Sequence, residues 1–229
     1  MSTWIKVARY QLTDRYIFVV SPWLILALDF LINLVIVASL PVGQHQVYVG
    51  ALSAIYIVLL TSGALAIARQ LPFALALGVS RRSFYAGSAL LCVAIAAVYG
   101  LGLTVLQLIE RGTGGWGLRM HFFRVQYLLA GPWYLTWLTS FVGLILMLAW
   151  GMWFGIVYRR WSLAGLLSFI AAQILVLAVV LAGIGVTHAW HGVGHFFTTL
   201  TIEGLTGLLA VAAVALLAGG YGTVRRLAV

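Results

Sequence analysis

Long stretches of uninterrupted apolar residues, separated by short polar and basic segments, dominate the sequence. A helix needs about 20 apolar residues to cross the hydrocarbon core of a bilayer, and six runs reach or approach that length: Phe18–Leu40, Val47–Ala68, Ala86–Ile109, Trp133–Val157, Leu163–Val186 and Leu205–Tyr221. The last is the shortest and recruits residues from Thr201 onward. Strands of a membrane barrel would alternate over about ten positions. Continuous apolarity instead predicts helices, which satisfy their backbone polar groups internally. The expected fold is therefore all-α, one transmembrane domain over residues 1–229 with six transmembrane helices.

Composition supports this class. With 64% hydrophobic and 7% charged residues and a mean hydropathy of +1.11, too little polar surface exists to cover a water-soluble globule. The net charge of +9 is the kind of excess that nucleic-acid binders carry, but no soluble basic domain is present, and no nucleic-acid partner is expected. Basic residues sorted to one side of a membrane give the same excess. Lys6, Arg9, Arg15, Arg69, Arg81, Arg82, Arg159, Arg160, Arg225 and Arg226 fall on one side of the six spans, against Arg111, Arg119 and Arg124 on the other. Ten against three puts both termini in the cytoplasm of a multi-pass protein of the cell membrane, here expected to be a bacterial plasma membrane. The first run is too long for the apolar core of a signal peptide and contains Asp29, so it is read as a retained span. Cys92 is the single cysteine, and no intrachain disulfide is possible.

Residues 1–16 predict an interfacial helix. Trp4, Ile5, Ala8 and Leu12 share one helical face, and Lys6, Arg9 and Thr13 lie on the other. Asp29 and Asn33, one turn apart on the first span, face the same way. A carboxylate there is costly unless paired or hydrated, so it should point into the bundle or a water-filled path. Gly151 and Gly155 have the small-xxx-small spacing of close helix packing, and Gly204 and Gly207 offer a weaker version. Gln107 and Glu110, near the outer end of the third span, are expected at the interface. The loop that follows reads as a glycine-rich turn and an aromatic belt.

The segment from Arg69 to Phe84 carries a recognisable pattern. Pro72 suits a helix's first turn, Gly78 supplies the left-handed residue that stops it, and Ser80 caps the next helix ahead of Arg81 and Arg82. The run Arg69-Gln70-Leu71-Pro72-Phe73-Ala74-Leu75-Ala76-Leu77-Gly78-Val79-Ser80-Arg81-Arg82-Ser83-Phe84 resembles the coupling-helix region of permeases of the ABC-type-2 exporter family. It departs from them in carrying Arg69-Gln70 where relatives often have acidic residues.

That resemblance implies a permease subunit of an ATP-driven exporter, moving an amphipathic or hydrophobic cargo. It implies a cytoplasmic coupling helix within 69–84, with Leu71, Phe73, Leu75, Gly78, Ser80, Arg81 and Arg82 contacting a separate ABC ATPase. It also implies a second permease copy or paralogue, with surrounding membrane lipids as the remaining partners. Spans one, two and five line the central cavity in that family, which makes Asp29, Asn33, Thr61, Ser62 and Gln173 candidate translocation-path residues. Gly183-Ile184-Gly185 can loosen the end of the fifth span, leaving 187–203 long enough for a re-entrant hairpin. By resemblance this hairpin faces outward as a lid bearing His188, His191, His195, Phe196 and Glu203.

No Walker loop occurs, so the chain itself is not expected to be an enzyme or to bind a cofactor; ATP and magnesium belong to the partner ATPase. The spacing of His188, His191 and His195 would suit metal ligands on a helix, but Gly192 and Gly194 interrupt it, and interfacial histidines without metal are expected. Other readings are the substrate-binding membrane subunit of a vitamin uptake system, a proton-coupled secondary carrier built on Asp29, and a metal- or haem-containing membrane enzyme.

Overall fold

A computed structural model describes residues 3–13, 16–40, 47–49, 52–124 and 131–225. Arg15 and Arg226 of the charge count lie outside them, as do residues 1, 2, 14 and 15 of the interfacial segment. The described chain is almost wholly helical: α1 (Thr3–Thr13), α2 (Ser21–Ser39), α3 (Ser53–Leu65), α4 (Leu71–Ala76), α5 (Arg81–Gly112), α6 (Trp133–Val186), α7 (Trp190–Thr199) and α8 (Ile202–Val224). Two short strands, β1 (Val47–Tyr48) and β2 (Met120–His121), pair in parallel. Five helical stretches are long and apolar enough to cross a membrane: Tyr16–Ser39, Ser53–Ala76, Arg81–Gly112, Trp133–Val186 and Ile202–Val224. This is an all-α membrane protein.

The 54 residues of α6 would extend about 81 Å if straight, against a hydrocarbon core of about 30 Å. They do not run straight. Ser162 has φ 56° and ψ −154°, outside the helical region, and the chain doubles back there. The rings of Phe154 and Phe169 lie 5.2 Å apart, where a continuous helix would hold them about 22 Å apart. Gly165 permits the reversal, because a Cβ there would collide with the Cβ of Trp161. The two arms match the sequence runs from Trp133 and Leu163, although the first continues past Val157 to the break.

The core of the bundle is the contact between α3 and the first arm of α6. A Cβ on Gly151 would overlap the Leu60 carbonyl, and one on Gly63 would overlap the Leu148 carbonyl. A Cβ on Gly155 would lie 2.6 Å from the Ala64 oxygen and 2.7 Å from the Ile67 Cβ. Missing side chains let the two backbones touch, as the spacing of Gly151 and Gly155 predicts. The same expectation fails at Gly207, which has nothing within 4 Å. The approach of α8 uses its other end: a Cβ on Gly220 would strike the Tyr85 hydroxyl, and Gly219 faces Trp153. Tyr85 donates to the Leu217 carbonyl at 2.9 Å, Trp153 Nε1 donates to the Leu216 carbonyl at 2.9 Å, and Thr139 and Thr206 share a hydrogen bond of 2.8 Å.

A π-helical turn, Tyr16–Val20, precedes α2. Such turns free backbone carbonyls, and two of them are used between helices. Ser62 donates to the Ile17 oxygen at 3.1 Å, and Tyr99 donates to the Phe18 oxygen at 2.6 Å.

Two helices depart from expectation. The second span does not end at Ala68. A π-helical stretch, Ala66–Gln70, joins α3 to α4 with helical torsions at Gln70 (φ −88°, ψ −26°), so Pro72 is absorbed in the first turn of α4. The helix predicted as a separate connector is thus the continuation of the span, and Val47–Tyr48 at its supposed start forms β1. The amphipathic α1 also turns a different side inward. It buries Val7, Ala8 and Gln11, with Gln11 Nε2 donating to Ser88 Oγ at 2.8 Å, while Trp4 and Leu12 stay exposed. Gly87 decides this, since a Cβ there would sit 2.6 Å from the Trp4 carbonyl and 2.8 Å from Val7.

Gly151→Leu should prevent this packing at a cost of roughly 3 kcal/mol or more, because the atom in its way is backbone and cannot yield. Fluorescence-detected gel filtration of detergent extracts checks it: Gly151→Leu loses the monodisperse peak, whereas Gly183→Leu, at a position with nothing within 4 Å, keeps it.

Candidate functional site

The turn between α4 and α5 is built entirely by local rules. The Val79 N–H donates to the Ala74 carbonyl and the Gly78 N–H to the Leu75 carbonyl, both at 3.0 Å, with Gly78 at φ +79°. These are the paired bonds of a glycine-terminated helix end. One residue later Ser80 adopts an extended conformation, and its Oγ accepts the Ser83 N–H at 3.2 Å and bonds the Ser83 hydroxyl at 2.9 Å. One helix is stopped and the next started within four residues, so the turn is stiff.

Of the residues proposed to contact a partner, Leu71 is buried and anchors α4, while Leu75 is half-buried. Phe73 (52%) and Leu77 (65%) stand exposed. Gly78, Ser80 and Arg82 are exposed and Arg81 is half-buried. Tyr10 of α1 stacks on Phe73, with centroids 5.7 Å apart and planes at 11°. Beside that stack a groove of about 200 Å³ runs between α1 and the turn, lined by Lys6, Val7, Tyr10, Ala74, Leu77 and Val79. The amino-terminal helix therefore braces the knob, a relationship that the chain order of the two segments does not reveal.

Arg81 and Arg82 occupy the first two positions of α5, whose first turn holds no acidic residue. Cations at a helix amino terminus oppose the macrodipole. Their placement weakens the helix start and gives a strongly positive tip, suited to a surface bearing carboxylates or phosphates.

The intramembrane polar residues are not gathered in one place. Asn33 Nδ2 donates to the Asp29 carbonyl at 2.8 Å and to Asp29 Oδ1 at 3.1 Å, so these two do act together. Asp29 Oδ2 is buried and has no donor among the described residues. Ser62 is turned into the α3 contact, giving its hydrogen to Ile17 and to the Val58 carbonyl. Thr61 is exposed beside the α3–α6 groove, bonded to its own helix at 2.7 Å, and Gln173 is half-buried on the second arm of α6.

His188, His191, His195, Phe196 and Glu203 are all exposed. His188 has φ 50° where the second arm ends, and α7 follows as a helix with no buried side chain among those described. A shallow cleft of about 760 Å³ opens beside Trp190, His191 and His195. No group of three metal-ligating side chains converges among the described residues. Glu203 lies in the first turn of α8, where its charge favours the helix dipole.

The chemistry of Glu110 was not visible in the sequence: its side chain is 1% exposed. Its Oε2 accepts the backbone N–H groups of Phe122 (2.9 Å) and Phe123 (2.8 Å) and the Trp116 indole (3.2 Å), and Oε1 accepts Arg124 N–H at 3.2 Å. Gln107, one turn earlier, is equally buried. The loop expected to be a flexible turn is folded through left-handed residues Gly114, Gly115, Trp116, Gly117 and Arg119, and Phe30 of α2 packs on Trp116, Phe122 and Phe123. Only four acidic residues occur in the chain, so an isolated glutamate ahead of a glycine cluster was the available signal.

Compared with known proteins, the chain matches no family model, no curated protein and no solved structure.

Glu110→Ala should leave two buried and two part-buried donors without this acceptor and cost roughly 3 kcal/mol or more. Glu110→Gln retains one carbonyl oxygen and should cost about half as much. Thermal unfolding followed by tryptophan fluorescence should rank wild type above Glu110→Gln above Glu110→Ala.

Proposed function

We propose that the chain is the membrane-spanning subunit of an ATP-driven exporter of the ABC-type-2 kind, taking its energy from a separate cytoplasmic ATPase. One observation carries the reading: a stiff turn braced by α1, with apolar side chains exposed on α4 and two arginines at the tip of α5. Such a tip has no evident role in stabilising its own helix. It is suited to docking on an acidic groove of a partner.

In this reading each arm of α6 is one span, giving six, and both termini share the arginine-rich cytoplasmic side of a bacterial plasma membrane. Two copies, or a copy and a paralogue, enclose the path, and α7 with its flanking turns forms an outer re-entrant lid. ATP and magnesium stay on the ATPase, so the chain is a transport subunit rather than an enzyme. Closure of the ATPases pushes on the α4–α5 turn. Because α3 runs into α4 without a break, the push travels along α3 to the glycine contact with α6 and reorients the bundle. The cargo is amphipathic or hydrophobic.

A second reading is favoured by one detail. Asp29, with a buried oxygen that lacks a donor among the described residues, would suit a proton-coupled carrier. Uptake driven by a pH gradient without any ATPase, and abolished by Asp29→Asn, would decide for it.

The main reading is checked in two ways. Ser80→Cys in a Cys92→Ala background should react with a membrane-impermeant maleimide only after the cytoplasmic side is opened; labelling of intact cells would overturn the orientation. Arg81→Glu/Arg82→Glu should weaken association with the co-expressed ATPase by about two orders of magnitude and remove its stimulated ATP hydrolysis. Unchanged association and hydrolysis would end the coupling role.

A further inference from the structure

A second groove, of about 610 Å³, lies where α3 and the two arms of α6 meet. This volume falls within the span of small-ligand sites, about 300–1,000 Å³. Leu60, Ala64, Phe154 and Leu166 line its apolar length, and Arg69, Tyr158 and Arg159 are also in its wall. The glycine contacts fix their relative heights. Leu60 is level with Gly151 and Ala64 with Gly155, so α3 and the first arm run parallel, and one further turn along each brings Arg69 and Arg159 level at the same end.

Both arginines are exposed, and neither has a hydrogen bond or ion pair among the described residues. None of the described carboxylates serves them. Asp29 is held by Asn33. Glu110 closes the far end of α5, and Glu203 lies near the far end of the first arm, because Thr206 bonds Thr139. Asp14 lies outside the described residues. The groove thus joins an acyl-compatible trough to a pair of guanidiniums that have no carboxylate partner among the described residues, at one end of two helices long and apolar enough to cross a membrane. Planar guanidiniums pair well with phosphate oxygens. A second copy of this chain seated face to face would oppose arginine with arginine, so charge favours an anion.

We infer that this groove holds an anionic membrane phospholipid, its phosphate between Arg69 and Arg159 and one acyl chain along Leu60, Ala64, Phe154 and Leu166. The bound lipid is a resident of the leaflet that the arginine-rich end faces. The inference rests on membrane embedding alone and is independent of any ATPase.

Native mass spectrometry of the purified full chain, titrated with dioleoylphosphatidylglycerol or dioleoylphosphatidylcholine, tests it. Wild type should retain the phosphatidylglycerol at least about tenfold more tightly, and added salt should erode that preference without weakening phosphatidylcholine. R69Q/R159Q should lose the preference, R225Q should keep it, and T61W, which fills the groove and spares both arginines, should weaken both lipids. Equal retention of the two lipids by wild type, or an equal loss in R225Q, overturns the proposal. So does a T61W protein that binds lipid normally but changes from dimer to monomer, since the occupant would then be a second copy. The salt series uses only wild type, so the outcome stands even where a variant fails to fold.

Discussion

In hydrocarbon, hiding one leucine against another gains nothing over leaving it in lipid, so helices associate only where they come close enough for dense contact or share hydrogen bonds. The meeting of α3 with the first arm of α6 satisfies this requirement through Gly63, Gly151 and Gly155, each placed where any side chain would enter the opposite backbone. The rest of the bundle is arranged around that contact. On another side of the arm, Gly100 of α5 lies against the Phe141 backbone, and a Cβ there would be 3.3 Å from the Phe141 nitrogen. α8 is tied to the same arm through Thr206 and the Leu216 carbonyl. Because α3 continues into α4, the position of the α4–α5 turn is set by glycines some three turns away.

Charge is used sparingly, and each acidic residue that can be described has a distinct setting. Glu110 collects three consecutive backbone N–H groups and an indole, which fastens the loop after α5 over the bundle end. Asp29 is held by an asparagine on its own helix. Glu203 sits at a helix start, where a negative charge is favourable. Arg69 and Arg159, by contrast, have no carboxylate partner among the described residues, and that imbalance makes the α3–α6 groove attractive to anions.

The features legible in the sequence are those governed by near neighbours. Continuous apolar runs gave the spanning helices, and Gly78 and Ser80 sit in the turn as their chemistry predicts, since a left-handed glycine and a serine cap act within a few residues. The reading failed where distant segments decide. The burial of Glu110 was hidden because its backbone donors arrive from residues twelve to fourteen positions later, after a turn whose left-handed course includes Trp116 and Arg119 as well as glycines. The buried side of α1 was misjudged because Gly87, in another helix, chooses it. Pro72 does occupy the first turn of α4 as expected, while the π-helical stretch just before it lets the helix run on from α3. Of the five candidate path residues, Asp29 and Asn33 are hydrogen-bonded to each other, as their spacing of one turn allows.

The reversal at Ser162 has a mechanical consequence. The second arm of α6 is rooted in one non-helical residue, and nearly all its side chains from Leu163 to Val186 are exposed or only half-covered by protein. A helix so lightly held within its own chain takes its tilt from whatever lies against it, whereas the glycine-locked helices beside it keep their own geometry.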